Sequence, residues 1–214
     1  MSPFSKALSF MTTAQIRIFG KPILFFMLSL PALWLAVQWA LYFSGEPNGL
    51  GINPQEVSNR FSGRWTLRML ILALAVSPFA ALINKPWPLM FRRMVGLFAF
   101  FYVTVHLGSY LGLDLALDFS ALWRDIVERV YILFGVGAFL CLLPLAVTST
   151  KGWIKRLGAT GWKALHRLVY VAGLLAALHF LFLVKGNQLE PKIYAAIIAA
   201  LLLWRLYRRL SQKR

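Results

Sequence analysis

Apolar residues in this chain come in long runs broken by short polar interruptions, not in the one-faced stripe of a surface helix. A helix crossing the hydrocarbon core of a bilayer needs roughly 20 such residues. Six segments qualify, at about 23–43, 65–83, 94–111, 130–147, 165–184 and 193–207, the last short but extendable at its ends. The pattern predicts an all-α membrane protein, a six-helix transmembrane bundle forming one domain over residues 1–214. Pro31, Pro78 and Pro144 fall inside spans and predict kinks, since neighbouring helices can satisfy the backbone groups they free. The longest connections are expected at 44–64, rich in Gly and Pro, and at 148–164. Neither a fixed-period repeat nor a low-complexity stretch is visible.

Composition strengthens this picture. The chain is 59% hydrophobic and 14% charged, with a mean hydropathy of +0.67, whereas soluble domains carry roughly 25% charged residues. A chain of 214 residues cannot hide that much apolar surface in one core. The net charge of +16 would suggest nucleic acid in a soluble protein. Here the basic residues lie between apolar runs, so the lipid bilayer is the expected partner and nucleic acid is not. Charge also orients the bundle. The N-terminus, the connections around Lys85–Arg93 and Lys151–Arg167, and the C-terminal tail are basic without acids. On the opposite side, basic residues and all the acids balance. The positive-inside rule then places both termini in the cytoplasm. The N-terminus lacks a compact signal-peptide pattern, so its apolar stretch is expected to be a retained span. Trp65, Trp87, Trp123, Trp153, Trp162 and Trp204 sit at span ends or in connections, where an aromatic belt belongs. Cys141, the lone cysteine, excludes an internal disulfide and a cysteine-held cluster, and reads as a small buried hydrophobe.

The three histidines carry the chemistry. His106 lies in the third span, His166 and His179 in the fifth. Ionisable groups in a membrane usually mark a functional path, and neutral imidazole is the commonest metal ligand. His106 stands five residues before Leu111 and His179 five before Val184, each about 7–8 Å from the outer end of an outward-running span. Two parallel helices thus present one imidazole each at one level, as a flat macrocycle bonded on both faces of its iron requires. His166 lies about 20 Å below His179. Its counterpart on the third span is Arg93, which is no iron ligand, so a ligand role and a structural role both stay open for it. Gly96, Gly108, Gly135, Gly137, Ala172, Gly173, Ala176 and Ala177 would allow close approach of a bulky ring, or ordinary helix packing. Arg68 could meet a propionate through its planar fork, or snorkel to the interface.

Three segments carry a family likeness. Arg92-Arg93-Met94-Val95-Gly96-Leu97 running on to His106, Thr148-Ser149-Thr150, and Leu165-His166-Arg167-Leu168-Val169-Tyr170 leading to His179 resemble the MsrQ (formerly YedZ) family. These are haem-binding membrane subunits of bacterial methionine sulfoxide reductase systems, within the ferric-reductase-like transmembrane group that includes NADPH oxidases. The resemblance covers nearly the whole chain. It implies residence in the bacterial inner membrane, haem b, an assigned FMN, and electrons taken from the quinol pool or a cytoplasmic flavin reductase. It further implies a periplasmic molybdopterin partner, MsrP, that repairs oxidised methionines in envelope proteins. The family's haem-associated histidines carry over to His106, His166 and His179; nothing visible carries over for FMN. Arg92 and Arg93 depart from the wider oxidase pattern, which puts a second fully ligated haem in question.

No dinucleotide fingerprint follows a strand, since Gly135 and Gly137 sit in an apolar helix. Donor and acceptor are therefore expected to be separate proteins, with this chain an electron-transfer subunit and substrate reduction in the partner. Asp114, Asp118, Asp125 and Glu128 cluster between spans three and four, as a docking surface or a plain solvated loop. Two alternatives stand beside this reading: a stand-alone ferric or oxygen reductase, and a transporter or assembly factor without a redox cofactor. Proton-coupled transport is disfavoured, because no Asp or Glu lies within a span.

Overall fold

The computed structural model describes residues 13–184 and 186–211. Among these the regular structure is helical throughout: α1 (Thr13–Phe43), α2 (Pro54–Leu82), α3 (Arg92–Ser109), α4 (Phe119–Glu128), α5 (Val130–Val147), α6 (Lys151–Leu165), α7 (Leu168–Leu183) and α8 (Leu189–Ser211). A 3-10 turn, Trp87–Phe91, leads into α3, and a π turn, Tyr110–Asp114, prolongs it. Lys6, Lys185, Lys213 and Arg214, part of the charge argument, lie outside the described residues, as does the N-terminal stretch before Thr13.

Four helical segments are individually long and apolar enough to cross a bilayer: 15–43, 54–82, 87–114 and 130–147. α6 and α7, bent by 42° at their junction, make a fifth if taken together. By length and composition the described residues thus hold four or five spans of a multi-pass membrane architecture, which does not confirm the sixth that the sequence predicts. The sixth candidate, α8, is 23 residues long but carries Glu190, Lys192, Arg205, Arg208 and Arg209 towards its ends, which dilutes its apolarity. Large apolar side chains face outward along the bundle, Phe26, Leu33, Leu140 and Phe182 each being about half exposed or more. Lipid is the solvent that such a surface requires.

Two expected connections are helical. The 44–64 segment is irregular only to Asn53, whose side-chain carbonyl accepts from the Glu56 amide at 3.2 Å. Pro54 opens α2 with its φ preset, and Glu56 complements the positive helix end. This polar first stretch is fixed by its cap, not by lipid, and a search for apolar runs passes over it. Likewise 151–165 is helix α6, started by Thr150 accepting from the Trp153 amide. It is basic and amphipathic, the character of a helix lying along a membrane surface. Gly158 interrupts it at φ 68°, ψ 163°, a conformation essentially reserved for glycine.

The core is a pair of hairpins. α2 packs along α3, with Asn59 near His106 at one end and Ser77 near Arg92 at the other, so the two run antiparallel. α5 and α7 pair the same way. α1 lies along α3, and α8 along α7 and α2. Close approach of α7 to α2 and α8 uses buried Ala172, Gly173, Ala176 and Ala177. A Cβ on Gly173 would stand 3.3 Å from Leu74 Cδ1, as small-residue packing in lipid demands.

Side chains of neighbouring helices bond the backbone near two of the helix prolines. α1, α2 and α5 run on through Pro31, Pro78 and Pro144. Pro78 offers no amide to the Leu74 carbonyl, and Arg205 Nη2 on α8 donates to that oxygen at 2.8 Å. The Tyr102 hydroxyl donates to the Leu28 carbonyl at 2.7 Å and accepts from the Ala32 amide at 3.2 Å, bridging one ladder position beside Pro31. Of the tryptophans expected in the belt, Trp65 stacks on Tyr102 and Trp162 donates to the Thr148 carbonyl. Cys141 is a free, half-buried thiol packed on the core.

Candidate metal centre between two hairpins

His106 near the end of α3 and His179 near the end of α7 meet with ring centres 6.2 Å apart and planes at 75°. Each ring is held from behind by the other helix of its own hairpin. His106 Nδ1 donates to the Asn59 carbonyl on α2 at 3.0 Å. His179 Nδ1 donates to the Tyr131 carbonyl on α5 at 2.6 Å. A carbonyl can only accept, so Nδ1 carries the proton in both neutral rings. The lone pair is thereby left on Nε2, the state and anchorage a metal-binding imidazole needs.

Each anchoring carbonyl is followed, one helical turn on, by a glycine against the ring. A Cβ on Gly63 would come within 3.1 Å of His106 Nδ1, and one on Gly135 within 2.8 Å of His179 Nδ1. Gly135 is among the small residues expected near the site, and Gly63 is not; nothing lies within 4 Å of the corresponding position on Gly96 or Gly108. The histidine follows its carbonyl by 47 residues in the first hairpin and 48 in the second. The two hairpins thus repeat one device, although the chain shows no repeat by eye. Only a carbonyl, a glycine and a histidine need to coincide, and the carbonyl leaves no mark in side-chain identity.

A cavity of about 570 Å³ opens between the hairpins, with both histidines in its wall, a size suited to a small-molecule or cofactor site. Leu67, Leu70, Val103, Leu142 and Ala176 make its body apolar, while Glu56, Arg60, Arg64, Asp114 and Glu190 bring charge to its rim. At the rim, Arg60 pairs with Glu56 at 2.5 Å and Arg64 with Glu190 at 3.2 Å. Asn59, whose backbone holds His106, uses its side-chain amide to bind Asp114 at 2.8 Å. Arg68 is not among the lining residues. It lies one turn deeper on α2, donating to the Tyr194 hydroxyl at 3.0 Å and covering the Trp65 ring.

His166 is elsewhere. It ends α6, its Nδ1 donating to the Trp162 carbonyl of its own helix at 3.0 Å, and its ring stacks on Trp162 at 3.7 Å. Its Nε2 is buried without a hydrogen-bond partner among the described residues. Arg93, its counterpart on α3, is exposed. The structure brings together His106 and His179, and leaves His166 and Arg68 apart from them.

Three of the four acids between α3 and α5 are engaged internally. Asp114 holds Asn59, Asp118 caps α4 through the Ser120 and Ala121 amides, and Asp125 binds the Tyr110 hydroxyl and Arg129. Asp118 lies below the usual carboxylate range, held there mainly by the Ser120 hydroxyl and then by the Ala121 amide.

The donor set defines what would fit. Among the described residues, no group of three or more His, Cys, Asp or Glu side chains could hold a bare ion. Two opposed imidazoles suit an ion whose other ligands come from a flat macrocycle. A metal–imidazole bond is about 2 Å, and a ring nitrogen sits about 1 Å from its ring centre, so two such rings on one ion hold their centres roughly 6 Å apart. The observed 6.2 Å meets that span. Apolar walls and a charged rim match a macrocycle with an apolar body and carboxylates on one edge. The residues present fit haem.

Residues 62–177 match the family of ferric reductase like transmembrane components, a segment that holds His106 and His166 and ends two residues before His179. Among curated proteins, the chain is 46% identical over 195 residues to a protein of Rhodospirillum rubrum, covering 91% of each. It is 46% identical over 185 residues to one of Caulobacter vibrioides, covering 86% of this chain and 85% of the relative. Against one of Xanthomonas axonopodis pv. citri the figure is 45% over 175 residues, or 82% and 79%. Each of the three is named protein-methionine-sulfoxide reductase heme-binding subunit MsrQ. With identity of this order over most of its length, the chain belongs to the MsrQ family of the ferric-reductase-like transmembrane proteins.

Proposed function

We propose that this protein is the haem-carrying electron-transfer subunit of a protein-methionine-sulfoxide reductase. It takes electrons from the quinol pool or a cytoplasmic flavin reductase. It passes them through haem b to a periplasmic molybdopterin reductase of the MsrP kind. In this reading it lies in the bacterial inner membrane with six spans and both termini cytoplasmic. α8 runs beside α2 and antiparallel to α7, the course of a sixth span with charges at its ends. The single observation that carries the reading is the pair of opposed imidazoles, each fixed through Nδ1 to a carbonyl of its hairpin partner.

Haem, when bound, supplies one-electron chemistry. The chain supplies the rest. His106 and His179 would hold the group, their tautomers fixed by the Asn59 and Tyr131 carbonyls. Gly63 and Gly135 let the rings reach their carbonyls. The apolar walls exclude water and so lower the dielectric around the redox centre. Substrate reduction then belongs to the partner, and the repair of oxidised methionine to the complex. No residue is assigned to FMN.

The test is the haem-to-protein ratio and optical spectrum of the purified wild type, His106→Ala and His179→Ala. The wild type is expected to carry a low-spin haem that either substitution abolishes. Were the rings to keep their near-perpendicular planes on a bound haem, its ferric EPR signal would be strongly anisotropic. Undiminished haem in both variants would falsify the ligand assignment. Flavin fluorescence of the same samples after acid extraction reads FMN directly.

The family match favours one second reading, a stand-alone ferric or oxygen reductase. Rapid reduction of ferric chelates or oxygen by the reduced, partner-free protein would select it.

A further inference from the structure

We propose that Arg64, assisted by Arg60 one turn before it, clamps the carboxylates of the bound macrocycle, and that Glu190 is a placeholder which those carboxylates displace. This rests on the haem reading and concerns the rim of the cavity, not its imidazoles.

Asn59 and Gly63 are the α2 residues that touch His106, and Arg60 and Arg64 follow each of them directly in sequence. The two guanidinium groups therefore leave α2 at the level of the imidazole, on the cavity rim. They stand four residues apart, about 6 Å along the axis. That spacing suits two carboxylates carried on one edge of a flat ring. Arginine's planar fork takes a carboxylate through two parallel hydrogen bonds. Arg68 faces otherwise, already engaged by Tyr194 and Trp65 below the rim.

Each rim arginine holds a carboxylate of the chain, but the two pairs differ. Arg60–Glu56 lies within one helix at i,i+4, with side chains 67% and 46% exposed. Arg64–Glu190 ties α2 to the first turn of α8, and both of its members line the cavity. Glu190 thus marks a position at the cavity edge where Arg64 receives a carboxylate. With side chains 43% and 40% exposed, this is a surface-type pair, of the kind that contributes little. An incoming carboxylate can replace Glu190 on Arg64, and Glu190 then turns to water. Without that exchange a dianionic edge would meet Glu56, Asp114 and Glu190 while Arg60 and Arg64, the arginines among the described lining residues, stay paired within the chain.

The experiment measures transfer of haem from the detergent-solubilised protein to excess apomyoglobin, with the reduction potential read on the same samples. Wild type, R64Q, E190Q and R68Q are compared, each reconstituted with native haem and with haem dimethyl ester, which has no free carboxylates. R64Q is expected to release native haem at least tenfold faster than wild type and to lower its potential, because a cation favours the reduced form. E190Q is expected to release it more slowly and to raise the potential. With the ester, R64Q and wild type should release at equal rates. Wild-type release of native haem by R64Q overturns the proposal, as does an equal acceleration with the ester, or acceleration in R68Q alone. Should R64Q not fold, the opposite shifts in E190Q and the faster loss of ester from the wild type decide. A wild type that binds no haem at all refutes the haem reading itself, a result distinct from any of these.

Discussion

At one end of α3 and α7 two imidazoles face each other across a cavity; thirteen residues earlier in the chain the corresponding positions are Arg93, on α3, and His166, at the end of α6. The shift along the chain that carries His106 onto His179 also carries Arg93 onto His166, so the two ends are variants of one arrangement. They differ in what holds the histidine. At the cavity end each Nδ1 reaches a carbonyl on another helix, past a glycine that leaves room for it. At the far end His166 bonds the carbonyl of its own helix four residues back and stacks on Trp162. It stands where the chain turns by 42° into α7. A ring fixed across a hairpin is aimed by tertiary structure, whereas a ring fixed to its own last turn shapes a helix end. Two histidines either side of the α6–α7 bend are thus held in two ways, and the location of the hydrogen-bond acceptor separates them.

The hardest test of this contrast removes the clearance without touching a histidine. Gly135→Ala places a methyl 2.8 Å from His179 Nδ1, against an atom pinned to the Tyr131 carbonyl. The ring cannot yield cheaply, and such overpacking costs about 1–3 kcal/mol. Haem occupancy at limiting haem should fall roughly tenfold or more. Gly63→Ala, at 3.1 Å from His106, should act in the same direction and less. Gly96→Ala and Gly108→Ala meet open space and should leave occupancy alone. Equal effects in all four would show that helix propensity, not ring clearance, is being measured.

Away from the cavity, the Leu74–Pro78–Arg205 arrangement allows a comparable test of structural wiring. Arg205→Met leaves the Leu74 carbonyl without a donor, an uncompensated group worth about 1–3 kcal/mol. Pro78→Ala restores an amide at the position that should supply it. The double variant should therefore be more stable than the sum of the single changes predicts, by about 1 kcal/mol, in detergent unfolding curves. Strict additivity would mean that Arg205 acts only through Tyr170, to which Nη1 donates at 3.1 Å and over whose ring it lies.

Apolar runs locate five of the helices well, because lipid imposes one requirement on every spanning segment. Depth counting likewise brings His106 and His179 to one level, since rise per residue is nearly constant. The polar start of α2 and the whole of α6 were legible only as caps, Asn53 with Pro54 and Thr150, which hydropathy does not weigh. Gly63 and the carbonyls of Asn59 and Tyr131 were hidden for a different reason. Their role depends on which helices become neighbours, and no residue pattern states that. Position along a span points to Arg68 as a carboxylate partner; the structure adds direction, setting Arg64 on the cavity and Arg68 against Tyr194.

His166→Ala sharpens the comparison from the other side. The substitution removes a ring whose Nε2 is buried without a partner, together with its stacking on Trp162. These losses oppose each other, so stability should change by no more than about 1 kcal/mol. The haem held by His106 and His179 should keep its stoichiometry and spectrum. Loss of half the bound haem would instead make His166 a ligand of a second group, and the far end would then resemble the cavity end more than its geometry suggests.

The smallest effect concerns α4, which follows the π turn at the cavity end. Asp118 caps it, its carboxylate accepting from the Ser120 hydroxyl and from the Ser120 and Ala121 amides. The hydroxyl, first, and then the Ala121 amide hold this carboxyl below the usual aspartate range. A group with a lowered folded value contributes its stabilisation fully above the ordinary value. That contribution is lost as pH falls through the lowered one. Hydrogen-exchange protection of the 119–128 amides, corrected for intrinsic rates, should therefore hold from neutral pH down to the ordinary carboxylate range and decline below it. Ser120→Ala removes the leading cause and should move the decline to higher pH. Asp118→Asn, which keeps an acceptor but cannot titrate there, should flatten it. If the profile is the same in all three proteins, the cap is not what ties α4 to the end of the bundle. The aspartate would then be one more solvated charge.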